Sequence, residues 1–400
     1  MTAVLNLRDE GRARVLRALY RTGGTTRPQL QALTGLSRAT VSSVVLDLIA
    51  EGLVGEEEAA RDGRANGRPA QTLSVLPHAA YAAAADIGRT HLHVVVCDLS
   101  GDVVWERRVD NDVDAHPEST LALVTRTVAE GLAHSGISSR QVLGLGVGIA
   151  CPVHRGGDTL DASGIMPGWV DVDPAAELAA RTGLPTQLLN DANAGAIGEW
   201  LYGAGQGVDD LVYIRLSAGI GAGVIADGRL LTGGGGLAGE IGHLQVVPDG
   251  LFCRCGNRGC LETVASPTSI ARLLSRSWGR QVDPDDLSAL LDSGQPAVQT
   301  AVREAGEAVG RALATTVTLL DPQLVIIGGD FSWAGEILLD PIRRGIERYA
   351  LPAARRRVRV VAGGLGAAAE VRGAAGILLN TAPDALATGT NARSGPPLLA

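Results

Sequence analysis

Apolar residues recur at helical spacing from the first segment onward. Over 9–22, Val15, Leu16, Leu19 and Tyr20 share one helical face, and Gly23-Gly24 ends the run. The stretch TTRPQLQALTGLSRATVSSVVLDLIAEGLV follows. Thr26 suits an N-cap, Pro28 the first turn, and Gln29 the return position of a capping box. That helix should end near Thr34-Gly35. Ser37 then caps a second helix carrying Val41, Val44, Val45, Leu48 and Ile49. Helix, short Gly-containing turn, helix predicts a helix-turn-helix.

After Val54 the period changes. EEEAARDGRANGRPAQTLSV is polar and Gly-rich, then extended, and predicts a β-hairpin wing with its tip over 61–68. From residue 80 the chain alternates short apolar strands with helices. YAAAADIG, HLHVVVCDL and DVVWERRVD read as a three-strand meander, followed by helical text at 118–135 and the strand QVLGLGVGIA. LVYIRLSAG, GAGVIADG and a third short strand repeat the idea, and QLVIIGGD and RVRVVAGGL supply later strands. Two such halves facing a cleft predict a duplicated α/β fold gripping a ligand at the hinge. The last helix is expected at about 366–379, and 381–400 reads as a disordered tail.

At 400 residues the chain is too long for one core, so two or three domains are expected. No run reaches the ~18–20 uncharged apolar residues of a membrane span, and the opening residues lack the apolar core of a signal peptide. A cytoplasmic protein is expected. The net charge of −8 argues against a protein that coats nucleic acid. Its distribution changes that picture. Residues 1–72 hold ten arginines and eight acids, a net +2, which leaves −10 for the rest. Any nucleic-acid contact should therefore be local to the head. The chain contains no lysine.

Three of the five cysteines fall in LFCRCGNRGCLE at 251–262, and His243 lies just upstream in GEIGH. In a cytoplasmic chain, clustered cysteines are more often metal ligands than disulfides. Cys253, Cys255, Cys260 and His243 offer three sulfurs and one nitrogen, a set suited to a closed, structural Zn²⁺ site. The alternative is a reduced cluster without metal. Cys97 and Cys151, isolated in apolar runs, read as small buried hydrophobes.

Six ordered blocks resemble the ROK family, which groups repressors, open reading frames and sugar kinases. They are DIGRT at 86–90, PGWVDV at 167–172, NDANAGAIGE at 190–199, GLAGEIGH at 236–243, CRCGNRGCLE at 253–262 and DPQLVIIGG at 321–329. The resemblance implies an actin-like (ribonuclease-H-like) two-lobed sugar-kinase fold. The winged head resembles the repressor branch. The expected layout is a winged helix-turn-helix at 1–78, a first lobe at 79–190, and a second lobe with zinc site and closing helix at 191–380.

By that resemblance Asn190, Asp191, Glu240, His243 and Glu262 form the sugar-binding set, with Asp191 at the position of the kinases' general base. Glu240 and His243, three apart, are expected on one helical face. Zinc would then hold Glu240 and Glu262 toward sugar hydroxyls, while His243 binds metal through one nitrogen and sugar through the other. Where family kinases commonly carry Asn before Pro-Gly-Trp, this chain has Ile165, then Met166. IACPV at 149–153 also departs from the pattern, so the pocket is expected to be less polar.

The ATP loops are altered as well. The first reads Asp86-Ile87-Gly88-Arg89-Thr90, with Arg in place of a glycine. The second reads Ser217-Ala218-Gly219-Ile220-Gly221, with a glycine and a threonine lost. Backbone N–H groups need small residues to cradle phosphates, so no kinase activity is expected.

In the head, the N-terminal end of the second helix should enter the major groove. Arg38 is the candidate guanine reader, Ser37, Thr40, Ser42 and Ser43 are candidate polar contacts, and Arg61, Arg64 and Arg68 are candidate wing contacts to phosphates or the minor groove. The expectation is a sugar-responsive regulator, a repressor of carbohydrate genes, whose partners are operator DNA and a monosaccharide. The resemblance implies a homodimer or a dimer of dimers. Two alternatives stay open: an active sugar kinase that also binds DNA, and a regulator controlled by a protein partner.

Overall fold

The computed structural model describes residues 7–58, 71–113, 116–154, 159–162 and 165–388. The head comprises α1 (Leu7–Thr22), β1 (Thr25–Thr26), α2 (Arg27–Thr34), α3 (Arg38–Ala50), β2 (Val54–Glu58) and β3 (Gln71–Val75). Gln29 Oε1 accepts from the Thr26 N–H at 3.0 Å, and Ser37 Oγ accepts from the Thr40 N–H at 3.1 Å. These caps and Gly35, at φ 68°, fix the turn, so the axes of α2 and α3 are bent by 114°. Leu16, Leu30, Val41, Val45, Leu48 and Leu73 form the head's core. The strands pair in the order β1-β3-β2, which completes a winged helix. The wing tip expected over 61–68 lies outside the described residues.

The body holds two five-stranded sheets of one design. The first contains β4 (Tyr81–Ile87), β5 (His91–Asp98) and β6 (Val103–Asp110), then α4 (Pro117–His134), β7 (Val142–Ile149), α5 (Pro174–Thr182), β8 (Thr186–Asn190) and the crossing helix α6 (Asp191–Tyr202). Its order is β6-β5-β4-β7-β8. The second contains β9 (Leu211–Leu216), β10 (Ile220–Ala226) and β11 (Arg229–Leu230). A helical insert follows: α7 (Glu262–Ala265), α8 (Pro267–Trp278), α9 (Leu287–Asp292) and α10 (Pro296–Leu320). The lobe closes with β12 (Leu324–Gly328), α11 (Glu336–Tyr349), α12 (Pro352–Arg355) and β13 (Arg359–Ala362). The order β11-β10-β9-β12-β13 repeats the first, an antiparallel meander extended by parallel strands. Strands such as β5 and β7 are buried along their whole length because helices cover both faces. This is the two-lobed, actin-like sugar-kinase architecture.

The last helices, α13 (Ala369–Asn380) and α14 (Ala382–Thr388), depart from the expected layout. Helix α13 packs on β4 and β7 of the first lobe and on α6. A Cβ on Gly373 would lie 1.7 Å from the Ala194 carbonyl oxygen, and one on Gly198 2.1 Å from that of Ala369. Only glycine permits so close a crossing. Residues 382–388, expected in a disordered tail, instead form α14. Its Ala387 is buried in the head's core, and Arg12 Nε of α1 donates to the Ala387 carbonyl at 3.2 Å. Arg17 Nε donates to Asp384 Oδ1 at 2.8 Å. The sequence suggests a tail because the segment is short and Pro-containing, but Leu386 and Ala387 pack into the head's core beside α1, while Ala382 and Ala385 pack on the apolar cluster that holds α13. No single described helix is long and apolar enough to cross a membrane.

Candidate functional site

A cleft between the lobes is lined by Asn190, Asp191, Glu240, His243 and Glu262, together with Arg89, Ile165, Arg215 and Arg254. The parallel end of β8 runs straight into α6, which brings Asn190 and Asp191 to the hinge. Asn190 caps α6, its Oδ1 accepting from the Asn193 N–H at 3.2 Å while its Nδ2 donates to the Cys151 carbonyl at 3.3 Å. Glu262 opens α7, and its Oε2 accepts from the Ile220 N–H at 3.3 Å. Gly219 makes room for it, since a Cβ there would lie 2.7 Å from Glu262 Oε2.

Glu240 and His243 were expected on one α-helical face. They sit instead on a single 3₁₀ turn, Ile241–His243, with Glu240 at its N-cap. The three-residue offset still brings Glu240 Oε2 within 3.7 Å of His243 Nε2. Burial pushes the Glu240 carboxyl up to about 7, helped by repulsion from Asp191 and Glu262. Three acids facing one cleft need hydroxyl or cationic partners.

His243 turns its other nitrogen toward the cysteines. Cys253 Sγ lies 3.5 Å from His243 Nδ1, and Cys255 Sγ 3.7 Å from Cys260 Sγ. All four ligand atoms lie within 4.8 Å of one another, a group that can hold a metal ion. Cys97 and Cys151 are buried apart from it.

The two segments expected as phosphate loops are engaged in contacts of their own. Asp86 is buried, and its Oδ2 pairs with His91 Nε2 at 3.0 Å. Burial works against the charge, but His91, with a smaller pull from Arg215, holds the Asp86 carboxyl below its ordinary range. The His91 ring fills the space over Gly88, where a Cβ would lie 2.3 Å from it. Arg89 Nη2 donates to the Ile165 carbonyl at 3.3 Å, and Arg254 Nη1 reaches the same oxygen at 3.0 Å from the other lobe. Thr90 lines the cleft. Ser217 Oγ accepts from the Asp330 N–H at 2.9 Å, while Ala218, Gly219 and Gly221 line the cleft without a side-chain hydroxyl. Met166, next to Ile165, is fully buried.

Sequence reasoning missed Arg215. It lies in β9, and its Nη1 is 3.1 Å from Asp191 Oδ2 while its Nε is 3.1 Å from Glu370 Oε1. Asp191 Oδ1 accepts from the Ala192 N–H at 2.7 Å, so both Asp191 oxygens are engaged. Burial opposes charge on Arg215, but the two carboxylates outweigh it. Burial also raises Asp191, against the pull of Arg215. It pushes Glu370 up to about 7, again opposed by Arg215. The available signal was an arginine inside the otherwise apolar LVYIRL, because a buried cation demands partners.

On the head, Arg38, Thr40 and Ser43 are exposed on the first turns of α3, and Ser42 is half-buried. The Ser37 hydroxyl is committed to capping and lies 2.8 Å from Thr40 Oγ1. The wing arginines Arg61, Arg64 and Arg68 lie outside the described residues.

Comparison with known proteins follows this division. The MarR family model matches residues 6–65, the head. A glucokinase of Thermotoga maritima is 34% identical over 307 residues, 73% of this chain and 95% of that enzyme. The DNA-binding transcriptional repressor Mlc of Escherichia coli K12 is 32% identical over 371 residues, 86% of this chain and 87% of Mlc. A solved ROK family transcriptional regulator, described as a homologue of the E. coli Mlc protein, has a TM-score of 0.77 at 27% identity and covers 96% of this chain and 98% of its own. The kinase likeness spans the lobes, whereas the regulator likeness takes in the head. The ROK family model matches residues 82–381, and the chain belongs to the ROK family.

Proposed function

We propose that the protein is a sugar-responsive transcriptional repressor of carbohydrate genes. A monosaccharide enters the cleft, the lobes change their closure, and the head releases operator DNA. The observation that carries this reading is one chain holding both an exposed helix-turn-helix face and a polar, acid-lined cleft, with α14 packed into the head's core. Asn190, Asp191, Glu240 and Glu262 supply acceptors for sugar hydroxyls, and His243 Nε2 supplies a donor. Arg38, Thr40, Ser42 and Ser43 read DNA, joined by the wing arginines. A homodimer or dimer of dimers would set two heads at the spacing of operator half-sites. The reading places the protein in the cytoplasm.

Zinc is the metal that fits the cysteine cluster. A tetrahedron with Zn–S of ~2.3 Å and Zn–N of ~2.0 Å has S···S edges near about 3.8 Å and S···N edges near about 3.5 Å. The sulfur pair at 3.7 Å and the sulfur–nitrogen pair at 3.5 Å suit it. Bound there, zinc would tie the turn bearing Glu240 and His243 to the loop that leads into Glu262. Its role is positional, since four protein ligands leave no open site.

Asp191, engaged by Arg215, is poorly placed to take a proton from a sugar, and the His91 ring fills the space over Gly88. The protein is therefore read as a non-enzyme. The rival reading, a DNA-binding sugar kinase, is favoured by the retained Asp191 and the glucokinase likeness. Calorimetric titration with a panel of hexoses, pentoses, amino sugars and their phosphates, alongside ADP release with ATP, separates the two. Binding without sugar-dependent ADP supports the regulator, and steady ADP production supports the kinase.

A further inference from the structure

Arg215 bridges more than two side chains. Asp191 begins α6 at the sugar site, Arg215 sits on the second-lobe sheet, and Glu370 lies in the first turn of α13, which packs on the first lobe. The guanidinium pairs with both carboxylates at 3.1 Å, and Glu370 Oε1 also accepts from Tyr213 Oη at 2.9 Å. All three charged groups are buried. In such surroundings ion pairs are strong and poorly screened, so a new hydrogen bond at Asp191 changes the balance for Glu370.

The chain then carries any displacement outward. Helix α13 is locked to α6 by the glycine contacts and joins α14 through the single residue Thr381. Helix α14 contributes Ala387 to the head's core and Asp384 to the ion pair with Arg17. From Glu370 the route to α1 runs along α13 and α14, and each link is a helix, an ion pair or a close packing contact.

We infer that Arg215 is a positioning residue that couples sugar occupancy at Asp191 to α13, α14 and the DNA-binding head. The inference rests on the sugar reading. A sugar hydroxyl donating to Asp191 competes with Arg215 for the same oxygen, and lobe closure moves Arg215, on one lobe, against Glu370, on the other. The relay has two separable legs. Asp191 to Arg215 governs binding and response together, whereas Arg215 to Glu370 governs response alone.

The test uses the full chain with d-glucose and d-xylose as probes. Calorimetry reads affinity, and hydrogen–deuterium exchange reads α14 and α1. In the unmodified protein, sugar should change exchange in both helices. Glu370→Gln should keep affinity within about threefold and lose that change, which separates coupling from binding. Arg215→Lys keeps the cation but not the two-pronged fork, and should lose about tenfold in affinity together with the exchange change. It carries the test if Glu370→Gln does not fold. A folded Glu370→Gln protein with the parent's exchange response, or an Arg215→Lys protein matching the parent in both readouts, overturns the coupling. If neither probe binds, the same readouts are taken with the panel of hexoses, pentoses, amino sugars and their phosphates, and absence of binding by every member is a different result, which overturns the sugar reading and the coupling with it.

Discussion

The Arg215 guanidinium lies 3.1 Å from the carboxylate of Asp191, the residue that the family resemblance matches to the kinases' general base. The other Asp191 oxygen is bonded to the Ala192 N–H. We therefore expect ADP release in the presence of ATP and d-glucose to stay at background. Asp191→Ala should weaken sugar binding by about 10- to 100-fold, the cost of one hydrogen bond to a charged group. Calorimetry checks the second expectation and a coupled ADP assay the first.

Metal removal should act on the sugar site at a distance. Stripping metal with a chelator, or replacing Cys253 by Ala, frees the segments that bear Glu240, His243 and Glu262. Sugar affinity should fall at least tenfold, the usual scale for disturbing a metal site's support, and thermal stability should fall with it. Metal content by mass spectrometry identifies the ion. A Cys253→Ala protein with full sugar affinity would show that the cluster does not position the cleft.

On the head, Arg38→Ala should relax base specificity by ~1–3 kcal/mol if its guanidinium reads a guanine edge. Ser37→Ala should act differently. Its hydroxyl caps α3, so the loss should appear as ~1 kcal/mol of head stability, with operator preference kept. Footprinting and thermal melting distinguish the two variants.

Glu370 gives a pH signature. Burial raises its folded pKa to about 7, above the ordinary unfolded value. A raised acid binds its proton more tightly when folded, so its contribution is fully present below the unfolded pKa and is lost as pH rises through about 7. From pH ~5 to ~8 the unmodified chain should lose stability relative to Glu370→Gln, on the order of 2 kcal/mol. Urea unfolding of both proteins across that range measures it, and parallel pH profiles would contradict it.

Much of the architecture was legible because it is written locally. The Thr26 and Ser37 caps, the glycine at 35 and the apolar spacing of α3 state the helix-turn-helix in short range. The two meanders follow from strand alternation, and their duplication follows from repetition of the pattern. The cleft residues were found through resemblance, since Asn190 and Glu262 lie far apart in sequence and only the fold brings them together. Arg215 was missed because a lone arginine in a strand reads as an edge charge until both faces are known to be buried. Glu370 hides in an Ala-rich helix for the same reason. Helix α14 was missed because its stability comes from α1, some 360 residues upstream. Glu240 and His243 meet as expected but on a 3₁₀ turn, because three residues close that turn as well as they share a helical face.

The central claim is that sugar in the cleft controls DNA binding by the head. Fluorescence anisotropy with a DNA fragment from the gene's own upstream region, at one stated salt concentration because phosphate contacts dominate affinity, measures this most directly. The account predicts tight binding that one monosaccharide, or its phosphate, weakens at least tenfold, the scale of an allosteric coupling of ~1–3 kcal/mol. Tight binding that every sugar leaves unchanged would contradict it and point to control by a protein partner.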